Sequence, residues 1–138
     1  MRVSSWGMGY HIVHGEEHAY EERPGHLGQP PRLSADVTSP AGLLQSRARI
    51  WRYPPRTRGR RHKDLGQEEV FVVLDGTLTM LLGDPFERVD LAPRSVVSVE
   101  PGTALQLRNE TDDEVVLFAY GAPPIVGKSE FLEDIGDL

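Results

Sequence analysis

Cysteine is absent from the 138 residues, which removes disulfides, thiolate metal ligation and a thiol nucleophile together. Long apolar runs are missing too: no stretch approaches the roughly 18 residues of a membrane helix, so no membrane partner is expected. The opening residues, MRVSSWGMGYHIVHGEEHAYEE, are acidic and lack the apolar centre of a secretory signal, so the chain reads as cytoplasmic. Basic charge is in deficit, with 15 Lys and Arg against 21 Asp and Glu and a net charge of −6, which disfavours nucleic acid as a partner. No internal repeat, low-complexity tract or helix-turn-helix pattern points to a solenoid or a DNA reader.

What remains is one ordinary domain. Apolar content of 38% and charged content of 26% are usual for a globular chain, and this length buries roughly two-thirds of the unfolded surface. Residues 1–32 read as an N-terminal arm, weakly patterned and rich in Gly, Pro, His and Glu, that packs along the domain or onto a second subunit. His11, His14 and His18 lie in it. His14 and His18 would share a face if helical, but Gly15 interrupts the helix and no apolar stripe supports it, so metal binding is not expected there.

From Leu33 onward turn signals recur about every eight to twelve residues, the spacing of a β-sandwich or barrel. Residues 43–53 alternate as a strand, with Ala48, Ile50 and Arg52 on one face and Arg49, Trp51 and Tyr53 on the other. An arginine on each face leaves the inward one open. Pro54 and Pro55 end it. The stretch Gly59–Gly76 is the centre of the pattern: the polar cluster His62, Lys63, Asp64, Gln67, Glu68 and Glu69 runs into the β-branched segment Val70–Leu74. Asp75-Gly76 then reads as a two-residue hairpin turn, with 78–82 as the return strand. Strands are expected at 87–91, 95–99, 104–109 and 115–120. Residues 129–135 are expected to form a short C-terminal helix, N-capped by Ser129, with Phe131, Leu132 and Ile135 against the barrel.

One basic patch stands out, with Arg52, Arg56, Arg58, Arg60, Arg61 and Lys63 inside twelve residues. It reads either as a solvated loop beside an acidic body or as arginines that face a pocket mouth and hold an anion.

Two stretches resemble a known family. Gly59-x2-His62-x-Asp64-x4-Glu69-x6-Gly76 and Pro93-x7-Pro101-Gly102-x2-Leu105-x3-Asn109 are similar to the two motifs of the cupin superfamily, G-x5-H-x-H-x3,4-E-x6-G and G-x5-P-x-G-x2-H-x3-N. The resemblance implies an all-β double-stranded β-helix, the cupin or jelly-roll barrel, over residues 33–127. The arm precedes it and a tail of residues 128–138 follows. It also implies a homodimer that pairs or exchanges N-terminal strands.

Cupins with a metal hold it on three histidines and a glutamate. Carried over, the first histidine is His62 and the glutamate Glu69. Asp64 stands at the second histidine position, Leu105 at the third, and Arg94 at a motif glycine. Leucine offers no lone pair, so no firm cofactor is expected. A divalent Fe, Mn, Ni or Zn at low occupancy on His62, Asp64 and Glu69 is the alternative. In a metal-free site, His62 would pair with Glu69, and Asp64 would turn the Asp64-Leu65-Gly66 corner by bonding its backbone.

Strand alternation then places His62, Asp64, Glu69, Phe71, Met80 and Leu105 around a small-molecule pocket, with Val73, Leu78 and Leu107 deeper in the core. The adopted reading is a protein that binds a small organic ligand, aromatic or carboxylated. Two enzymes are the alternatives. One uses His62 as a general base without metal, oriented by Asp64 or Glu69, with Tyr53 or Tyr120 as acid. The other is a dioxygenase- or isomerase-type metal enzyme.

Overall fold

The computed structural model describes residues 9–125 and 127–138, and its eleven strands lie in two antiparallel sheets. β1 (Tyr20–Arg23), β2 (Arg32–Asp36), β3 (Arg47–Tyr53), β10 (Val115–Ala122), β5 (Glu68–Asp75) and β8 (Val96–Val99) form the larger sheet in that order. β11 (Ser129–Phe131), β4 (His62–Asp64), β9 (Ala104–Arg108), β6 (Leu78–Leu82) and β7 (Glu87–Leu91) form the smaller. The all-β double-stranded β-helix implied by the two motifs is the fold of this chain.

The core lies between the sheets. Phe71 and Val73 of β5, Leu117 of β10 and Val99 of β8 meet Leu78 and Met80 of β6 and Leu105 and Leu107 of β9. Strand alternation puts these side chains inward, and their apolar area supplies most of the driving force. Asn109 closes one end. Its buried amide nitrogen donates to the carbonyls of Tyr53 at 2.9 Å and Asp113 at 2.7 Å, tying the loop after β3 to the loop before β10.

Three expectations change. Asp75-Gly76 does not make a hairpin: β5 pairs with β10 and β8, while β6 pairs with β9 and β7. A hairpin turn of that type needs positive φ at both central residues. Gly76 has φ +76°, whereas Asp75 is not among the positive-φ residues. The chain instead passes from one sheet to the other there. A Cβ on Gly76 would stand 2.5 Å from the Glu114 carbonyl oxygen, so the crossing requires glycine.

The expected C-terminal helix is replaced by β11, which pairs with β4, followed by an irregular tail. A single short helix has a costly nucleus and little to bury, while the free edge of β4 offers unpaired backbone groups. Phe131 is accordingly exposed. Within the segment read as an arm, β1 adds a strand to the larger sheet through β2.

Candidate functional site

Register settles which face of β3 looks inward. Arg47, Arg49, Trp51 and Tyr53 lie opposite Gly121, Ala119, Leu117 and Val115 of β10, and on its other side β10 sets Gly121 opposite Glu69 and Ala119 opposite Phe71. These residues share one face, and a cavity of about 320 Å³ opens over it. Its apolar wall is Trp51, Tyr53, Phe71, Leu107 and Ala119. Its polar wall holds four arginines, Arg32, Arg47, Arg49 and Arg60, against two carboxyl groups, Asp36 and Glu69. His62, Gln67 and Tyr120 also face it.

The arginines are held by different means. Arg32 lies over the rings of Trp51 and Tyr53, at 4.8 and 5.4 Å, and its Nη1 donates to the Tyr53 hydroxyl at 3.1 Å. Its buried Nε has no hydrogen-bond partner. Arg47 donates through Nε and Nη2 to Gln67 Oε1 at 3.1 and 3.0 Å, and its Nη2 is 3.6 Å from Asp64. Arg60 lies over the Phe131 ring at 3.9 Å. Two glycines keep the space open: a Cβ on Gly59 would stand 2.8 Å from the Tyr53 hydroxyl, and one on Gly121 would stand 2.6 Å from the Gln67 side chain.

Glu69 is the perturbed acid. Burial pushes its carboxyl up to about 7, the nearby Asp64 carboxylate adds to the rise, and Arg47 opposes it. Near neutral pH it therefore holds its proton about half the time. Tyr53, fully enclosed, is raised by burial as well.

Of the six expected pocket residues, the structure brings His62, Glu69 and Phe71 to the cavity. Asp64 is buried behind it, receiving the Gly66 N–H at 3.2 Å in the loop corner read from the sequence. Met80 and Leu105 do not reach the lumen. Met80 lies opposite Leu107, and Leu105 opposite Leu82 and His62, both packed in the core. The carboxylates do not orient His62 either. Its Nδ1 lies 2.9 Å from the Arg60 carbonyl oxygen, a backbone acceptor that fixes this nitrogen as the N–H donor and leaves Nε2 as the acceptor.

Arg32, Asp36, Arg47, Arg49, Trp51 and Gln67 were missing from the expected set. The aromatic pair Trp51 and Tyr53 on one face of β3 is the signal that marks that face as inward. Arg32 and Asp36 carry none, because β2 reaches the cavity only through tertiary pairing. The basic patch divides: Arg52 pairs with Glu114, Arg56 with Asp112, Arg58 with Asp134 and Asp137, Arg61 with Asp84, and Lys63 with Glu130. Only Arg60 of the six lines the cavity.

A divalent metal, common in proteins of this fold, does not fit this donor set. Among the described residues no group of three His, Asp or Glu side chains is placed to hold a metal ion. Asp64 is turned to Arg47 and the Gly66 backbone, and Leu105 has no donor atom. His11, His14 and His18 form no such group.

The family model described as a cupin domain matches residues 49–120, and the chain belongs to that family. Crystal structures with the same fold include a conserved double-stranded β-helix protein from Klebsiella pneumoniae, at TM-score 0.69 and 19% identity, covering 89% of this chain and 97% of that one. A predicted oxalate decarboxylase from Thermotoga maritima superposes at TM-score 0.71 and 16% identity, over 81% of this chain and 98% of that one. The polyketide cyclase RemF from Streptomyces resistomycificus does so at TM-score 0.76 and 13% identity, over 91% and 87%. At such identities the likeness is one of fold. A comparison with curated proteins finds no match. Among the described residues no helix is long and apolar enough to cross a membrane.

Proposed function

We propose that this cupin binds a small, apolar or aromatic carboxylate in the cavity over β3, β10 and β5. One observation carries the reading: four arginines face two carboxyl groups inside an aromatic-walled cavity, in a protein whose net charge is −6. Trp51, Tyr53 and Phe71 supply faces for a planar apolar body, and guanidinium groups suit a carboxylate. Protonation of Glu69 near neutrality lowers the repulsion an anion would meet. A volume of about 320 Å³ lies at the small end of ligand pockets.

The test is calorimetric titration with aromatic carboxylates such as benzoate and 2-naphthoate, each beside its neutral amide. Carboxylates bind and amides bind at least about tenfold more weakly, the difference a charged hydrogen bond makes. Arg32→Gln removes the advantage. Equal affinity for acid and amide would sink the reading.

A second reading, catalysis by His62 as general base, is favoured by one observation: its Nε2 is left as the acceptor in a cavity that also holds Glu69. His62→Ala separates the two. A binder loses affinity modestly, while a base catalyst loses about 10²–10⁴ in turnover.

The protein is also proposed to act as a homodimer. On the face of the larger sheet away from the cavity, Tyr20, Ala35, Ile50, Phe118, Val72 and Val96 stand in one row across all six strands. Val96 is 63% exposed.

A further inference from the structure

Phe131 lies on the edge strand of the smaller sheet with 55% of its surface exposed. Pairing of β11 with β4 uses backbone groups, so covering that edge does not explain an aromatic ring, and a ring this open adds little to the core. What the ring faces is the cavity mouth. The Arg60 guanidinium lies 3.9 Å from its centroid, and the His62 imidazole, opposite it in register, stands at 6.4 Å. Both residues line the barrel cavity. They are also joined to each other, through His62 Nδ1 and the Arg60 carbonyl oxygen at 2.9 Å.

The segment that carries Phe131 is anchored on both sides of it. Before it, Glu130 is 3.9 Å from Lys63. After it, the Leu132 N–H donates to the Arg61 carbonyl at 2.9 Å, and Arg61 Nη1 donates to the Glu133 carbonyl at 3.3 Å. Asp134 accepts from the buried Gln106 amide at 2.9 Å, and that amide also donates to the Gly59 carbonyl at 2.8 Å. These ties converge on residues 58–63, the stretch that holds Arg60 and His62. Its other cations face carboxylates: Arg58 meets Asp134 and Asp137, Arg61 meets Asp84, and Lys63 meets Glu130. Arg60 is held by a ring instead, and a cation–π contact fixes a guanidinium without neutralising it. We propose that Phe131 is a positioning residue for the barrel cavity, its ring holding the Arg60 guanidinium at the mouth, beside His62, for the ligand's carboxylate. The inference rests on the carboxylate reading and deepens it.

The experiment measures, by calorimetry on the full chain, the affinity for 2-naphthoate relative to 2-naphthamide. Phe131→Leu keeps an apolar side chain on β11 and lowers that ratio about two- to fivefold, the worth of an exposed cation–π contact, by weakening the acid and sparing the amide. Phe131→Trp keeps or raises the ratio. Arg60→Gln lowers it at least as far, and adding Phe131→Leu to Arg60→Gln changes it no further, because the ring then has no charge to hold. An equal loss of acid and amide, a tryptophan variant that behaves like the leucine one, or a second full loss in the double variant would overturn the proposal. A preference for the acid that Phe131→Leu leaves intact sinks this inference alone. Equal binding of acid and amide by the wild type brings down the carboxylate reading, and this inference with it. Should the leucine variant fold poorly, the NMR signals of the wild-type Arg60 side chain decide: the ring shifts its δ protons upfield, and 2-naphthoate moves them. Protons at their random-coil position, or indifferent to saturating 2-naphthoate, would refute the assignment.

Discussion

Replacing Glu69 with glutamine tests the electrostatics of the barrel cavity directly. In the unfolded chain this carboxyl titrates near its ordinary 4.5, and in the fold it titrates at about 7. A carboxyl with a raised value in the native state binds more protons there than in the unfolded chain, so stability falls as pH rises between the two values. Below about 4.5 both states are protonated and the group costs nothing. Above about 7 both are ionised and the cost is complete, on the order of 3 kcal/mol. Glutamine keeps the shape and cannot ionise. The difference in unfolding free energy between Glu69→Gln and the wild type should therefore move by about 3 kcal/mol in favour of the variant from pH 4.5 to about 7.5. With a urea slope of about 1.5 kcal/mol/M, the midpoint difference changes by about 2 M. Urea titrations at half-unit pH intervals measure it. A difference that stays flat across this window would show that Glu69 titrates as in water, and the account of a shielded cavity would fail. The same linkage makes carboxylate binding weaken as pH rises through 7, since an ionised Glu69 then repels the ligand.

Three further outcomes follow from the packing. Leu105→Ala removes a side chain that is 1% exposed and should cost about 2–5 kcal/mol in thermal or urea unfolding, while affinity for cavity ligands stays near the wild type because Leu105 lies outside the lining. Asn109→Ala strands the buried carbonyls of Tyr53 and Asp113 and should cost about 2–4 kcal/mol; a loss under about 0.5 kcal/mol would show that the loops hold without it. Phe118→Lys places a charge in the middle of the six-strand apolar row; under the homodimer proposed above, light scattering should give a dimer for the wild type and a monomer for the variant. A dimer that survives the lysine would move the interface elsewhere.

The pattern of residues carried the barrel because each strand is a local signal. Alternation over 47–53, the β-branched run at 70–74 and the Pro and Gly turns near 93 and 101 all act within a few neighbours. Asp75-Gly76 misled for the same reason. A turn dipeptide records local freedom of the backbone, whereas the choice between a return strand and a crossing depends on β9 and β10, far along the chain. Ser129 to Ile135 behaved alike: the edge of β4 decided for a strand.

For the site, local order placed His62, Glu69 and Phe71 at the cavity, since motif spacing and alternation run along one strand and its lead-in. Met80 and Leu105 also alternate inward, yet depth along the barrel, a property of how the sheets close, put them in the packed core. The arginines divide on similar grounds. Nothing near Arg52, Arg56 or Arg58 in the chain announces Glu114, Asp112 or Asp134 as partners.

By itself, then, the order of residues determined that this chain is an all-β cupin without thiol chemistry, with a leucine where the family's motif has a histidine. Only the tertiary structure decided which charges meet. It neutralised most of the basic patch, gathered Arg32, Arg47, Arg49 and Arg60 from three separate segments, and left Glu69 half-buried near the buried Asp64. Solvent exclusion and pairing across the sheets belong to residues far apart in the chain, and those are what set the chemistry of the cavity.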